Sequence, residues 1–235
     1  MTAGWWRVAA FVGLLGAGPA LAEEPAPAPA EGETPAEAPA PAPVTYRLEP
    51  AKSWLYVVVY NDTSAMASRL GHDHGVRAST FDGKVVWNTA DASACLVEIN
   101  FPVSALVVDP GGMRERAGLD PDGAVSDSSK ETIKENMLGK KQLDGATHKE
   151  ISFKATKCDG TSGKVKVTGD LTIHGVTKTV TMPMDVKVDG SSFVAGGAVT
   201  IKASDFGFNP FSNLAGALRN KDEMKLVVDV QGGPR

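Results

Sequence analysis

The sequence predicts an all-β fold, an up-and-down antiparallel barrel of about eight strands, with two segments ahead of it that take no part. Three observations carry this. Apolar and polar residues alternate with period two along most of residues 44–235, the mark of half-buried strands. Gly paired with Asp punctuates these runs, so the strands follow one another through short connections. One long interruption, residues 105–145, carries the signals of a short helix. A two-sheet sandwich is the runner-up architecture.

The first segment, residues 1–22, has one basic residue, Arg7, then an apolar stretch from Val8 to about Ala17 and a small-residue end, Ala20-Leu21-Ala22. This is the three-part pattern of a secretory signal peptide, with cleavage expected after Ala22. The apolar run falls short of the roughly 20 residues that span a bilayer. Export to the periplasm or beyond is therefore expected. Residues 23–43 hold seven Pro, seven Ala and five Glu and predict a disordered, semi-rigid spacer. The chain has 24 basic and 28 acidic residues, and discounting Arg7 and the five linker glutamates leaves residues 44–235 formally neutral. A neutral domain has no field for a phosphate backbone, which argues against nucleic-acid binding. Its length suits one domain with a substantial core.

The strands follow in order. Trp54 to Tyr60 (WLYVVVY) is apolar on both faces and predicts a strand covered from outside as well. Asp82-Gly83 sits inside FDGKVVW and reads as a bulge or strand bend. Cys95, Val97, Ile99 and Phe101 share one face, and Ile151, Phe153 and Ala155 another. Val165, Val167, Leu171 and Ile173 alternate with Lys164, Lys166, Thr168, Asp170 and Thr172. Val180, Met182, Met184, Val186 and Val188 follow, then Met224, Leu226, Val228 and Val230. Asp159-Gly160 and Asp189-Gly190 fit tight hairpins. In the interruption, Ser128 with Glu131 makes a capping box, Gly139 fits the residue after a helix end, and Ile133 and Met137 share one helix face. Such a helix could lie across a barrel mouth, preceded by a short helix and turn in MRERAGLDPDG.

GDLTIHGVTKTVTMPMDV (Gly169 to Val186) closely resembles the signature strand pair of the YceI-like family of exported, lipocalin-like proteins. TYRLEPAKSWLYVVV, HKEISFKATKC and ASDFGFNPF through DEMKLVVDV resemble its other segments in the right order, so the likeness covers residues 45–231. The resemblance implies an eight-stranded lipocalin-like barrel around an elongated apolar cavity, a carrier of a polyisoprenoid or isoprenoid quinone, transient membrane contact and, in several members, a homodimer. Under that likeness Val97, Ile99, Phe101, Phe153, Leu171, Ile173, Met182 and Met184 are, as a set, the candidate lipid-binding lining, while for any one of them taken alone a core position is the safer reading. The family pattern is departed from at GHDHG (Gly71 to Gly75), where paired histidines are not expected, and at His148, which stands where an aromatic is common.

His72 and His74 open a second reading. On a strand they would share a face and could begin a metal site, but a metal needs three or four ligands and a complete set is missing. Contact with a lipid headgroup at the barrel mouth is the softer alternative. His174 has the parity of the polar, outward set and reads as a structural residue at a strand corner. No cofactor is required, and the absence of a nucleophile elbow, HExxH, P-loop or dinucleotide motif argues against an enzyme. In an oxidising compartment Cys95 and Cys158 are expected to form a disulfide. One begins a strand and the other ends one, so antiparallel neighbours would bring them together.

Overall fold

The computed structural model describes residues 41–161, 163–189 and 191–234. The expected signal peptide and all but the last three residues of the linker lie outside the described residues. The strands are β1 (Val44–Leu48), β2 (Trp54–Asn61), β3 (His74–Ala78), β4 (Asp82–Trp87), β5 (Leu96–Pro102), β6 (Leu106–Val108), β7 (Glu150–Thr161), β8 (Lys164–Ile173), β9 (Val176–Asp189), β10 (Ser192–Lys202), β11 (Ser212–Asn213) and β12 (Leu218–Pro234). Helices α1 (Met113–Ala117) and α2 (Asp127–Leu138) fall between β6 and β7.

Consecutive strands pair antiparallel from β7 through β10, and β10 pairs with β12. The ring closes because β12 pairs with β1 near its end and with β2 along its middle. β1 and β2 act as one long strand bent at Pro50–Lys52, and β3 with β4, and β5 with β6, are likewise two bent strands. Their pairings β1–β4, β2–β3, β4–β5 and β3–β6 bring the bends side by side. Ser79 bridges two of them, its N–H and hydroxyl both donating to the Ala105 carbonyl at 2.9 and 2.8 Å. Counted this way, the molecule is a closed eight-strand barrel. The sandwich reading falls away.

Alternation governs the facing. β8 alternates buried and accessible residues along its length, with Val165, Val167, Leu171 and Ile173 buried. The outer face of β2 is covered as its composition requires: Tyr56 and Val58 pack with Met113 of α1 and with Leu119, all buried. Arg77 and Arg116 place their guanidinium carbons 3.9 and 4.6 Å from the Trp54 ring centroid. Arg116 also pairs with Asp229 at 2.7 Å, tying α1 to β12.

Three local expectations are corrected. Asp159-Gly160 is not the hairpin turn, because pairing runs on to Thr161 opposite Lys164. Asp82-Gly83 is neither bulge nor bend, since both residues pair in register with Asn100 and Ile99. A close approach explains this glycine, whose added Cβ would lie 2.8 Å from the Leu48 side chain. The helix is capped by Ser126, whose hydroxyl accepts from Ser129 N–H at 3.2 Å, and not by Ser128. Gly139 does follow the helix end. At Asp189-Gly190 the hairpin forms with Asp189 opposite Ser192, although Gly190 itself lies outside the described residues.

Cys95 and Cys158 are disulfide-bonded, with Cα atoms 6.1 Å apart. β5 and β7 are the antiparallel neighbours this requires. A bulge between Ala155 and Lys157 reverses the facing of β7, so Cys158 turns inward along with Phe153 and is fully buried.

Candidate functional site

Inward positions from every barrel strand surround one cavity of about 540 Å³. This lies within the roughly 300–1,000 Å³ usual for ligand pockets. Val97, Ile99, Phe101, Phe153, Leu171, Ile173, Met182 and Met184 all line it. Two inward glycines keep it open. A Cβ on Gly169 would lie 2.4 Å from the Phe153 ring, and one on Gly197 would lie 2.4 Å from the Met184 sulfur. Larger residues at these points would displace the wall.

The cavity is long. On β10 and just beyond, its lining runs from Phe193 to Ala203, about 30 Å of strand at ~3.3 Å per residue. One end has an aromatic floor. Phe193 packs against Tyr46 and Trp87 with ring centroids 5.5 and 6.0 Å apart, and all three are buried. At the other end the lining passes to Leu70, His72, Val125, Ser129, Phe211 and Leu218, which belong to loops, to α2 and to the start of β12. Ile133 and Met137 also line the cavity, so α2 supplies wall where β6 and β7 do not pair.

Polarity gathers at this mouth. β3 begins at His74, so His72 lies in the preceding loop, exposed, while His74 is half-buried, and both line the cavity. Their ring centroids are 6.3 Å apart. His74 Nδ1 lies 2.8 Å from Asp109 Oδ2, and Gly75 N–H donates to Asp109 Oδ1 at 2.7 Å. Arg114 donates to Asp109 Oδ2 at 3.2 Å and to the Asp73 carbonyl at 2.9 Å. Burial alone would raise the Asp109 pKa. The hydrogen bonds from His74 and Gly75, with the charges of His74 and Arg114, outweigh it and hold the carboxyl below its usual range.

An ionised Asp109 can only accept, so His74 Nδ1 carries the proton. Nε2 is the ring nitrogen left without a role in that contact. Asp109 and Arg114 escaped the sequence reading. The available signal was a lone acid closing the apolar run Leu106–Val108, with no register to join it to His74 thirty-five residues earlier. Among the described residues, no group of three or more His, Cys, Asp or Glu is arranged to hold a metal ion.

His174 does not join His72 and His74. It sits in the β8–β9 turn at φ 51°, donates from Nδ1 to the Phe206 carbonyl at 3.2 Å, and packs edge-on to His148 and Phe208 with centroids 4.5 and 5.8 Å apart. That is a structural corner.

The YceI-like domain profile matches residues 46–232. A UPF0312 protein of Vibrio parahaemolyticus, VPA0850, is 51% identical over 41 residues, a stretch covering 17% of this chain and 22% of that relative. Among solved structures, BcnA of Burkholderia cenocepacia superposes with TM-score 0.58 at 20% identity, over 78% of this chain and 98% of that one. The YCEI protein of Campylobacter jejuni gives 0.51 at 16% identity, over 68% and 84%. At these identities the likeness to solved structures concerns the fold. The profile spans nearly the whole barrel, and the chain belongs to the YceI-like family, whose barrels bind hydrophobic ligands.

Proposed function

We propose that this protein is an exported carrier of a long apolar lipid of the isoprenoid type, held in the barrel with its polar end at the mouth. The observation that carries the reading is the apolar cavity running from the Tyr46–Trp87–Phe193 floor to the His72–His74 mouth. Each CH₂ removed from water contributes about 0.8 kcal/mol. A long chain would exceed the ceiling near −20 kcal/mol that non-covalent affinities reach, so the competitor is the bilayer and not water. Barrel and bilayer interiors are both apolar, and transfer between them is close to neutral. The hydrocarbon then sets chain length, and the mouth sets the headgroup.

At that mouth the second ring nitrogen of His74 is left to a polar headgroup, such as the hydroxyl of a prenol or quinol, which can both donate and accept. Solvent extraction followed by mass spectrometry tests the reading. An isoprenoid lipid near one per chain is expected, and protein from several hosts yielding no lipid would overturn it. Val180→Trp, which fills the lining without touching the mouth, should expel the lipid and leave the fold intact. His74→Phe should retain hydrocarbon binding and lose the discrimination between headgroups that the ring nitrogen provides.

A further inference from the structure

We propose that the paired segments 62–72 and 211–221 form the surface by which the protein docks on an anionic lipid bilayer; this rests on the carrier reading above. Met66 is 93% exposed, Leu70 66% and Leu214 55%. Among the described residues, Val44, at 39%, is the only other exposed large apolar side chain. Single apolar side chains at a surface are ordinary, but these three stand on two segments held together as one platform. Ala67 N–H donates to the Ala217 carbonyl at 2.7 Å, Asp62 N–H to the Arg219 carbonyl at 2.9 Å, and Arg219 Nε to Asp62 Oδ2 at 2.7 Å.

Two further observations name the partner. The platform is continuous with the cavity, because Leu70, Phe211 and Leu218 line its mouth. A lipid leaving the barrel along them stays in apolar contact until it reaches whatever covers Met66 and Leu214. Leu214 and Ala215 hold left-handed backbone, φ 50° and 51°, an unfavourable state for non-glycine residues that persists only where the surroundings enforce it.

Charge favours a membrane over an apolar protein face. The two segments carry Arg69, Arg219 and Lys221 against Asp62 alone, on a folded part that is formally neutral. Of the acids just beyond, Asp73 and Asp222 face Asn61 N–H and Ser204, and Glu223 pairs with Lys202 at 3.8 Å. A basic rim around apolar tips matches an anionic headgroup layer with hydrocarbon beneath it.

The test expresses the full sequence and purifies the protein as the cell processes it. Flotation is measured with phosphatidylcholine vesicles, alone and mixed with phosphatidylglycerol, for wild type and for a Met66→Asp/Leu70→Asp/Leu214→Asp variant. The wild type should float with the mixed vesicles, less with phosphatidylcholine alone, and less as salt is added. The variant should lose roughly tenfold or more of that binding with unchanged melting temperature. Equal flotation of the two proteins, or none by the wild type, overturns the proposal. So does a dimer-to-monomer shift in the variant with vesicle binding retained, which would make the patch a contact between copies. Lipid content of the same samples is read by mass spectrometry, so an empty barrel that still docks sinks the carrier reading and not this one.

Discussion

At the scale of single residues, Asp109 concentrates the most interaction in the least space. Its side chain is 1% exposed and accepts from His74, Gly75 and Arg114. Its pKa is depressed in the fold, so its contribution is complete above the unfolded carboxylate value, about 3.9. That contribution is lost as pH falls through the folded value. Asp109→Asn should cost about 3 kcal/mol at neutral pH, by leaving buried donors and a cation unmatched. It should also flatten the loss of stability below pH ~4. Urea titrations across pH check both. Cys158 shows what alternation cannot reveal. Its inward facing depends on a bulge that counting by twos from Phe153 does not anticipate. The eight lining candidates were legible because each lies in a run of unbroken parity on its own strand. Asp109 was not, because its contact with His74 is made across two separately bent strands.

Among the elements, strands were easier to read than turns. A strand declares itself over many residues, whereas Asp159-Gly160 offered the same two letters as a hairpin and was absorbed into β7. The three serines of SDSS could each have capped α2, and only the loop path selects Ser126. Ser126→Ala should cost about 1 kcal/mol. The helix supplies wall on one side through Ile133 and Met137 and is otherwise largely exposed. Replacing both by serine should quicken amide exchange over residues 127–138 and shorten lipid retention, while exchange in β8 and β9 stays slow. Hydrogen exchange by mass spectrometry distinguishes this from global loosening.

For the whole molecule, the half formed by β1–β6 is bent and the half formed by β7–β12 runs without such breaks. They meet at two seams. At one, β12 reaches both β1 and β2; at the other, β5 pairs with β7 only from Glu98–Lys154 to Pro102–Glu150. The disulfide closes a loop of 63 residues across that shorter seam, worth about 4 kcal/mol on the chain-entropy estimate. Intact protein should weigh two hydrogens less than the reduced form, and Cys95→Ser/Cys158→Ser should shift the denaturant midpoint accordingly. The staple sits at the floor end of the seam, and α2 takes over at the mouth end. The barrel is therefore a purse stitched at the bottom. Strain on its short seam can part the wall only beside α2, at the mouth through which the proposed lipid would pass, and reducing the disulfide would let the wall part at the floor too, turning a vessel into a conduit.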